Sequence, residues 1–217
     1  MGILAALTDL LYPPKCIFCR KLLRPGTSGA CGACREKLSG EVRIRRGMYF
    51  SRCVVPLRYS DAVRDAVIRY KFEDQQGYAT AFGSILAEAI QRELSGRYDL
   101  ITWVPVSARR LRQRGYDQAM LLAMAAALEL GDVAVETLVK ASDNPAQSSM
   151  ESADARRSNV LGAYRAADPE LIAGKRILLI DDIITTGSTL DEASRTLVEA
   201  GASEVLCAAL AEPDETM

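Results

Sequence analysis

Residues 177–190 read ILLIDDIITTGSTL. Four consecutive aliphatic side chains with no polar alternation suit a strand covered on both faces. Two adjacent carboxylates, Asp181 and Asp182, close that strand, and Thr185, Thr186, Gly187, Ser188 and Thr189 follow them. A helical pattern then runs from about residue 188 to 200, Gly201 stops it, and a second apolar run spans residues 204–210. Another buried strand is expected within residues 98–106. Strands alternating with helices in this way require a parallel sheet with helices on both faces, an α/β fold.

Ligands of such sheets bind outside the carboxyl ends of the strands, where Asp181 and Asp182 stand. The small residues after them let backbone N–H groups approach an anion, and the start of the helix adds positive potential. The stretch thus offers a phosphate cup beside two acceptors suited to hydroxyl groups, the layout of a ribose 5-phosphate. A P-loop would need Gly-Lys-Ser or Gly-Lys-Thr, whereas Gly174-Lys175 is followed by Arg176. A phospho-receiver domain opens with its acids, yet fewer than forty residues follow Asp182 here. An ordinary solvated strand end leaves the Thr/Gly/Ser cup unexplained.

The chain of 217 residues contains no histidine, so any chemistry must run on carboxylates, backbone amides, Lys/Arg or a metal. Cys16 and Cys19 form one Cys-x-x-Cys pair, Cys31 and Cys34 a second. Two such pairs, each read as a tight knuckle, supply a closed tetrahedral set of thiolates and a structural zinc site. A disulfide framework is the alternative, and it suits small secreted chains. Cys53 and Cys207 lie in apolar runs and read as core residues.

Charge is uneven along the chain. Residues 1–60 hold eleven Lys/Arg and three acids, a net of +8 against −1 for the whole chain. That balance suits an anionic partner or simply a solvated surface. Leu4, Leu7, Leu10 and Leu11 fall at helical spacing before Pro13-Pro14, so a short amphipathic helix is expected there rather than a signal peptide. No apolar run reaches transmembrane length, and a cytoplasmic location is expected.

Residues 49–59 read as a strand or hairpin, and Asp61 as the N-cap of the next helix. A helix is expected over residues 80–94 and a basic loop over 107–118. An Ala/Leu/Met-rich helix then runs to about residue 130, and a short strand is expected at 137–140. Residues 142–157 are polar and Ser-rich, a length of loop that is usually functional or disordered.

The chain resembles the ComF family of competence-type proteins, and its 177–190 stretch resembles the 5-phosphoribosyl-1-pyrophosphate (PRPP) signature of type I phosphoribosyltransferases. The resemblance rests on several motifs in order: Pro-Pro-x-Cys, the paired Cys-x-x-Cys, and Tyr70-Lys71-Phe72. Val104-Pro105-Val106 with Arg109-Arg110-Leu111-Arg112-Gln113-Arg114-Gly115-Tyr116-Asp117-Gln118 follows, then Gln147 and Arg156-Arg157-Ser158-Asn159-Val160. Asp117 departs from the family's usual Asn. The resemblance implies a zinc-ribbon module over residues 1–47 and a phosphoribosyltransferase-like domain over 48–217. It also implies PRPP with Mg²⁺ as ligand: Asp181 and Asp182 on the ribose hydroxyls, and Thr185, Thr186, Gly187, Ser188 and Thr189 on the 5-phosphate. Arg109 and Arg110 would meet pyrophosphate, and Arg156 or Arg157 would reach in from a closing loop. Two function classes follow: transfer of phosphoribosyl to an acceptor, or a non-catalytic competence protein that binds single-stranded nucleic acid. For the second, Tyr49 and Phe50 beside the basic residues 43–46 offer stacking surfaces, or are the first core residues of the next strand.

Overall fold

The computed structural model describes residues 13–24, 27, 29–38, 40–141 and 161–213. The amphipathic helix expected near the N-terminus and the polar segment 142–157 lie outside these residues, as do Arg156 and Arg157.

The central strand is β7 (Arg176–Ile183). It pairs in parallel with β8 (Glu204–Glu212) on one side and with β4 (Leu100–Trp103) on the other. Beyond β8 lie β2 (Arg52–Val55) and β3 (Leu57–Arg58), both parallel to it, and β1 (Arg43–Arg45) adds an antiparallel edge to β2. Residues 49–59 are therefore no hairpin; β2 finds its parallel partner in β8, with Cys53 opposite Cys207.

The unbroken apolar run of β7 serves two cores. Side chains alternate across a strand, so Leu178 and Ile180 enter one hydrophobic cluster while Ile177 and Leu179 enter the other. All four are inaccessible to solvent. The first cluster is closed by α2 (Asp61–Phe72), α3 (Tyr78–Leu94) and α5 (Gln118–Leu130), the second by α7 (Ser188–Glu199). Helices α3 and α5 approach so closely at Gly83 that a Cβ there would stand 2.5 Å from that of Ala125.

Two expectations about helix starts need correction. Ser60, not Asp61, is the N-cap of α2, and no side chain caps it; Asp61 sits in the first turn, where its charge favours the helix dipole. The basic stretch expected as a loop contains α4 (Ala108–Arg114), capped by the Ser107 hydroxyl accepting from the Arg110 N–H and closed by Gly115. Arg and Leu are strong helix formers, and a cap at one end with a left-handed glycine at the other suffices for two turns. A separate antiparallel pair, β5 (Leu138–Lys140) and β6 (Tyr164–Ala166), leads by way of α6 (Pro169–Ile172) into β7.

The basic edge strand is partly neutralised from within. Glu212, at the end of β8, is buried, and it pairs with Arg43 at 2.6 Å and Arg45 at 2.8 Å. Phe50 is 3% exposed and belongs to the second core cluster, so it is a core residue, while Tyr49 is exposed.

Candidate functional sites

The N-terminal cysteines meet in space. Cys16 and Cys19 lie on a turn that Arg20 closes with positive φ, its N–H donating to the Cys16 carbonyl at 3.0 Å. Lys15 and Leu22 bridge the base of this knuckle. The second pair is not a knuckle of the same kind: Cys31 directly precedes the helix α1 (Gly32–Leu38), and Cys34 lies in its first turn. Residues three apart at a helix start share one face, so a helix presents two thiols as well as a turn does. The four sulfurs lie within 4.8 Å of one another, and those of Cys19 and Cys31 are 3.7 Å apart. A tetrahedral zinc with Zn–S near ~2.3 Å sets S···S edges of about 3.8 Å, so the set fits a structural zinc. Burial opposes the Cys16 thiolate, but backbone N–H groups of Cys31, Cys19 and Phe18 overcome it and bring the thiol down to about 6. Burial and then the neighbouring sulfurs push Cys34 up to about 12. Thiols crowded in this way need a cation to ionise together.

The second site is a cleft of about 360 Å³ at the carboxyl end of the sheet. Asp181 and Asp182 form its floor; Thr185 lines it from the turn that follows, and Thr189 from the start of α7. Gly187 takes a left-handed conformation (φ 83°) as the N-cap of α7, which allows the chain to turn sharply from β7 into the helix. Thr186 and Ser188, hydrogen-bonded to each other at 2.8 Å, line a neighbouring hollow with Arg46 and Arg195 instead. The expected cup is thus divided between two concavities.

From the loop after β4, Val104, Pro105 and Val106 form another wall. Asp117 holds that loop: one carboxylate oxygen accepts the Val106 N–H at 2.9 Å, the other accepts the Met120 N–H at 3.0 Å as N-cap of α5. Both partners are donors, so a carboxylate satisfies them where an amide would turn one N–H against another. Burial raises the Asp117 carboxyl, and those backbone N–H groups oppose the rise. Arg110 and Arg114, four residues apart on one face of α4, line the cleft, while Arg109, one step round the helix, is exposed and outside the lining.

Sequence reasoning missed three cations of this cleft, Lys71, Arg114 and Lys140. Lys71, at the end of α2, stands 2.8 Å from the Asp182 carboxylate. Arg114 stacks over Phe72 at 4.8 Å and donates to Gln118 at 2.6 Å. Lys140 lies 5.0 Å over the Tyr164 ring, so both strands that flank residues 142–160 reach the cleft. Lys71 and Arg114 stood inside motifs quoted above, but no local pattern assigns them a shared destination. Burial, then the neighbouring Asp182 charge, raises the Asp181 carboxyl to about 8.

A parallel sheet with paired acids at the end of its central strand, a Gly-turned helix start beside them and a four-cysteine module at the N-terminus together define a type I phosphoribosyltransferase fold carrying a zinc ribbon. Two family models agree with that assignment. The phosphoribosyl transferase domain family matches residues 117–216, and the double zinc ribbon domain family matches residues 7–61. The chain is 27% identical to competence protein ComFC of Bacillus subtilis (strain 168) over 204 residues, covering 88% of this chain and 82% of that protein. It is 27% identical to the DNA utilization protein YhgH of Salmonella typhimurium (strain LT2), covering 90% of this chain and 96% of the relative. Among solved structures, glutamine PRPP amidotransferase from B. subtilis aligns with a TM-score of 0.44 and 22% identity, over 65% of this chain and 30% of that one. Over most of its length the chain is homologous to competence and DNA utilization proteins. Among the described residues, no helix is long and apolar enough to cross a membrane.

Proposed function

We propose that the cleft binds PRPP with Mg²⁺ and that the chain transfers the phosphoribosyl group to a nucleophilic acceptor. The observation that carries this reading is the convergence on one cleft of the Asp181-Asp182 pair, Thr185 and Thr189, and the cations Lys71, Arg110, Arg114 and Lys140. A ligand with hydroxyls at its centre and phosphates at both ends matches that arrangement of acceptors and cations.

In the proposed reaction the acceptor bonds to C1 of the ribose as the C1–O bond to pyrophosphate breaks. Pyrophosphate leaves with the electron pair, and the acceptor gives up its proton to solvent. No protein nucleophile is needed, which suits a chain without histidine. Asp181 and Asp182 accept the ribose hydroxyls and stabilise the positive charge that develops on the ring. The N–H groups at the start of α7 hold the 5-phosphate. Arg110 is placed for pyrophosphate, with Arg109 at the rim, and a guanidinium fork suits its oxygens. The two adjacent carboxylates are hard oxygen donors, and Asp182 already accepts one cation, the Lys71 ammonium at 2.8 Å. Asp181 and Asp182 would therefore hold Mg²⁺ together with the ribose. When bound, Mg²⁺ supplies Lewis-acid neutralisation of the leaving pyrophosphate. Arg156 and Arg157 remain proposed contacts from the segment between β5 and β6.

Calorimetric titration with PRPP and Mg²⁺, followed by a pyrophosphate-release screen across bases and amines, tests the reading. Affinity is expected to strengthen as pH rises toward about 8, because the ligand needs the Asp181 carboxylate and a proton competes for it below that value. Stability of the ligand-free protein moves the other way. The folded chain keeps a proton that the unfolded chain has lost above its ordinary value near ~4, so stability falls between there and about 8. Absence of PRPP binding at every pH refutes the reading.

A second reading, contact with single-stranded nucleic acid, rests on Lys15, Arg20, Lys21, Arg24, Arg35 and Lys37, all exposed on the ribbon. Arg43 and Arg45, engaged by Glu212, contribute less. Fluorescence anisotropy with a short labelled DNA strand should then show sequence-tolerant binding that weakens steeply with salt. No binding at low salt refutes it.

A further inference from the structure

Three consecutive residues on the last turns of α2 reach three different parts of the molecule. Arg69 donates through one guanidinium nitrogen to the backbone carbonyls of Ile17 and Phe18, at 2.8 and 3.3 Å. Those carbonyls lie inside the Cys16–Cys19 knuckle, between its two cysteines. Tyr70 is fully buried and donates its hydroxyl to the Gln118 carbonyl at 2.7 Å, while Tyr116 donates its own hydroxyl to the Tyr70 carbonyl. Lys71 places its ammonium on Asp182 at 2.8 Å. Successive helical residues point about 100° apart, so one short length of α2 is held from the knuckle, from the core and from the cleft at once.

A second route joins the same places through packed rings. Phe18 of the knuckle meets Phe82 at 6.2 Å between centroids, and Phe82 meets Tyr70 edge-on at 5.5 Å. Arg20, also in the knuckle, donates to the Tyr78 hydroxyl at 2.6 Å, and Tyr78 packs on Phe82 at 6.1 Å. Arg69 is committed to this interior: its Nε is buried with no hydrogen-bond partner among the described residues. A guanidinium with one buried, unpartnered N–H keeps such an arrangement only if its remaining contacts hold it firmly.

We propose that Arg69 and Lys71 are positioning residues that make the zinc knuckle part of the phosphoribosyl cleft: Arg69 clamps the knuckle carbonyls to α2, and the clamped turn sets Lys71 against Asp182. This rests on the reading of the cleft as a PRPP site. Lys71 occupies one oxygen of Asp182 and leaves the other for a ribose hydroxyl. Zinc organises the carbonyls that Arg69 grips, since Ile17 and Phe18 are the two residues between its first pair of ligands. Metal occupancy and PRPP affinity are therefore coupled, and coupling between two ligands is reciprocal.

The test uses the full-length, zinc-loaded protein. PRPP–Mg²⁺ affinity is measured by calorimetry, and zinc release to a chromogenic chelator is timed with and without saturating PRPP. In the parent, PRPP is expected to slow zinc release by about tenfold. Arg69→Gln should speed zinc release and weaken PRPP binding by about tenfold. Lys71→Met should weaken PRPP binding, leave the basal zinc-release rate unchanged and abolish the effect of PRPP upon it, with partial recovery in Lys71→Arg. If the parent binds PRPP yet releases zinc at the same rate with and without it, the coupling is refuted while the PRPP reading stands. A parent that does not bind PRPP removes both. Should Arg69→Gln fail to fold, the parent's zinc-release measurement still decides the matter.

Discussion

The double variant Asp181→Asn, Asp182→Asn is expected to lose about a hundredfold to a thousandfold in phosphoribosyl transfer, the loss seen when preorganised charge is removed from a developing cation or anion. The same variant should melt no lower than the parent. Asp181 is half-buried beside a second carboxylate, and its carboxyl is raised by burial and by that neighbour. Replacing two crowded acids by neutral amides relieves that repulsion, although Lys71 loses its ionic partner. Loss of function with retained stability is the mark of a site kept for chemistry at the expense of the fold. A structural role predicts the opposite sign, a lower melting temperature. Calorimetric titration with PRPP–Mg²⁺ and a thermal melt of each protein separate the two, and parental affinity in the variant shows the cleft to be misassigned.

Removal of the metal is the second large effect. Elemental analysis of the purified protein is expected to find one zinc per chain. Cys16→Ser should lower the thermal midpoint by about 10 °C, corresponding to about 3 kcal/mol for a chain of this size. The reason lies in where the knuckle sits. Cys16, Ile17 and Phe18 are buried in the same cluster as Phe82, Tyr70 and Leu206, so the ribbon is packed into the main core rather than tethered beside it. The ribbon has little apolar surface of its own, and its backbone needs the metal to keep its shape. A protein that contains no zinc, or whose mass shows the four cysteines joined as two disulfides, overturns the assignment. A Cys16→Ser protein that melts with the parent shows that the metal leaves the core untouched.

Local signals carried much of this protein in the linear chain. The run Ile177–Ile180 is recognisable because a strand buried on both faces needs no polar alternation, and the acids at its end stand out because like charges seldom close such a strand. The four cysteines declare themselves through covalent spacing alone, and the structure gathers their sulfurs within 4.8 Å. The helices α3, α5 and α7 follow from periodicity within one or two residues of the expected bounds.

The tertiary structure decided what lies far apart in the chain. Arg45 and Glu212 are 167 residues apart, and only the sheet order that sets β1 beside β2, and β2 beside β8, lets them pair. That pairing, with Phe50 turned into the core, moved positive charge away from the place where the sequence alone suggested a nucleic-acid surface. Lys71, Arg114 and Lys140 come from three separate elements to the cleft that Asp182 floors. Period and spacing are properties of neighbouring residues, so a chain displays them before it folds. Convergence depends on which strands pair and which helix faces pack, and those are settled by the burial of the whole core.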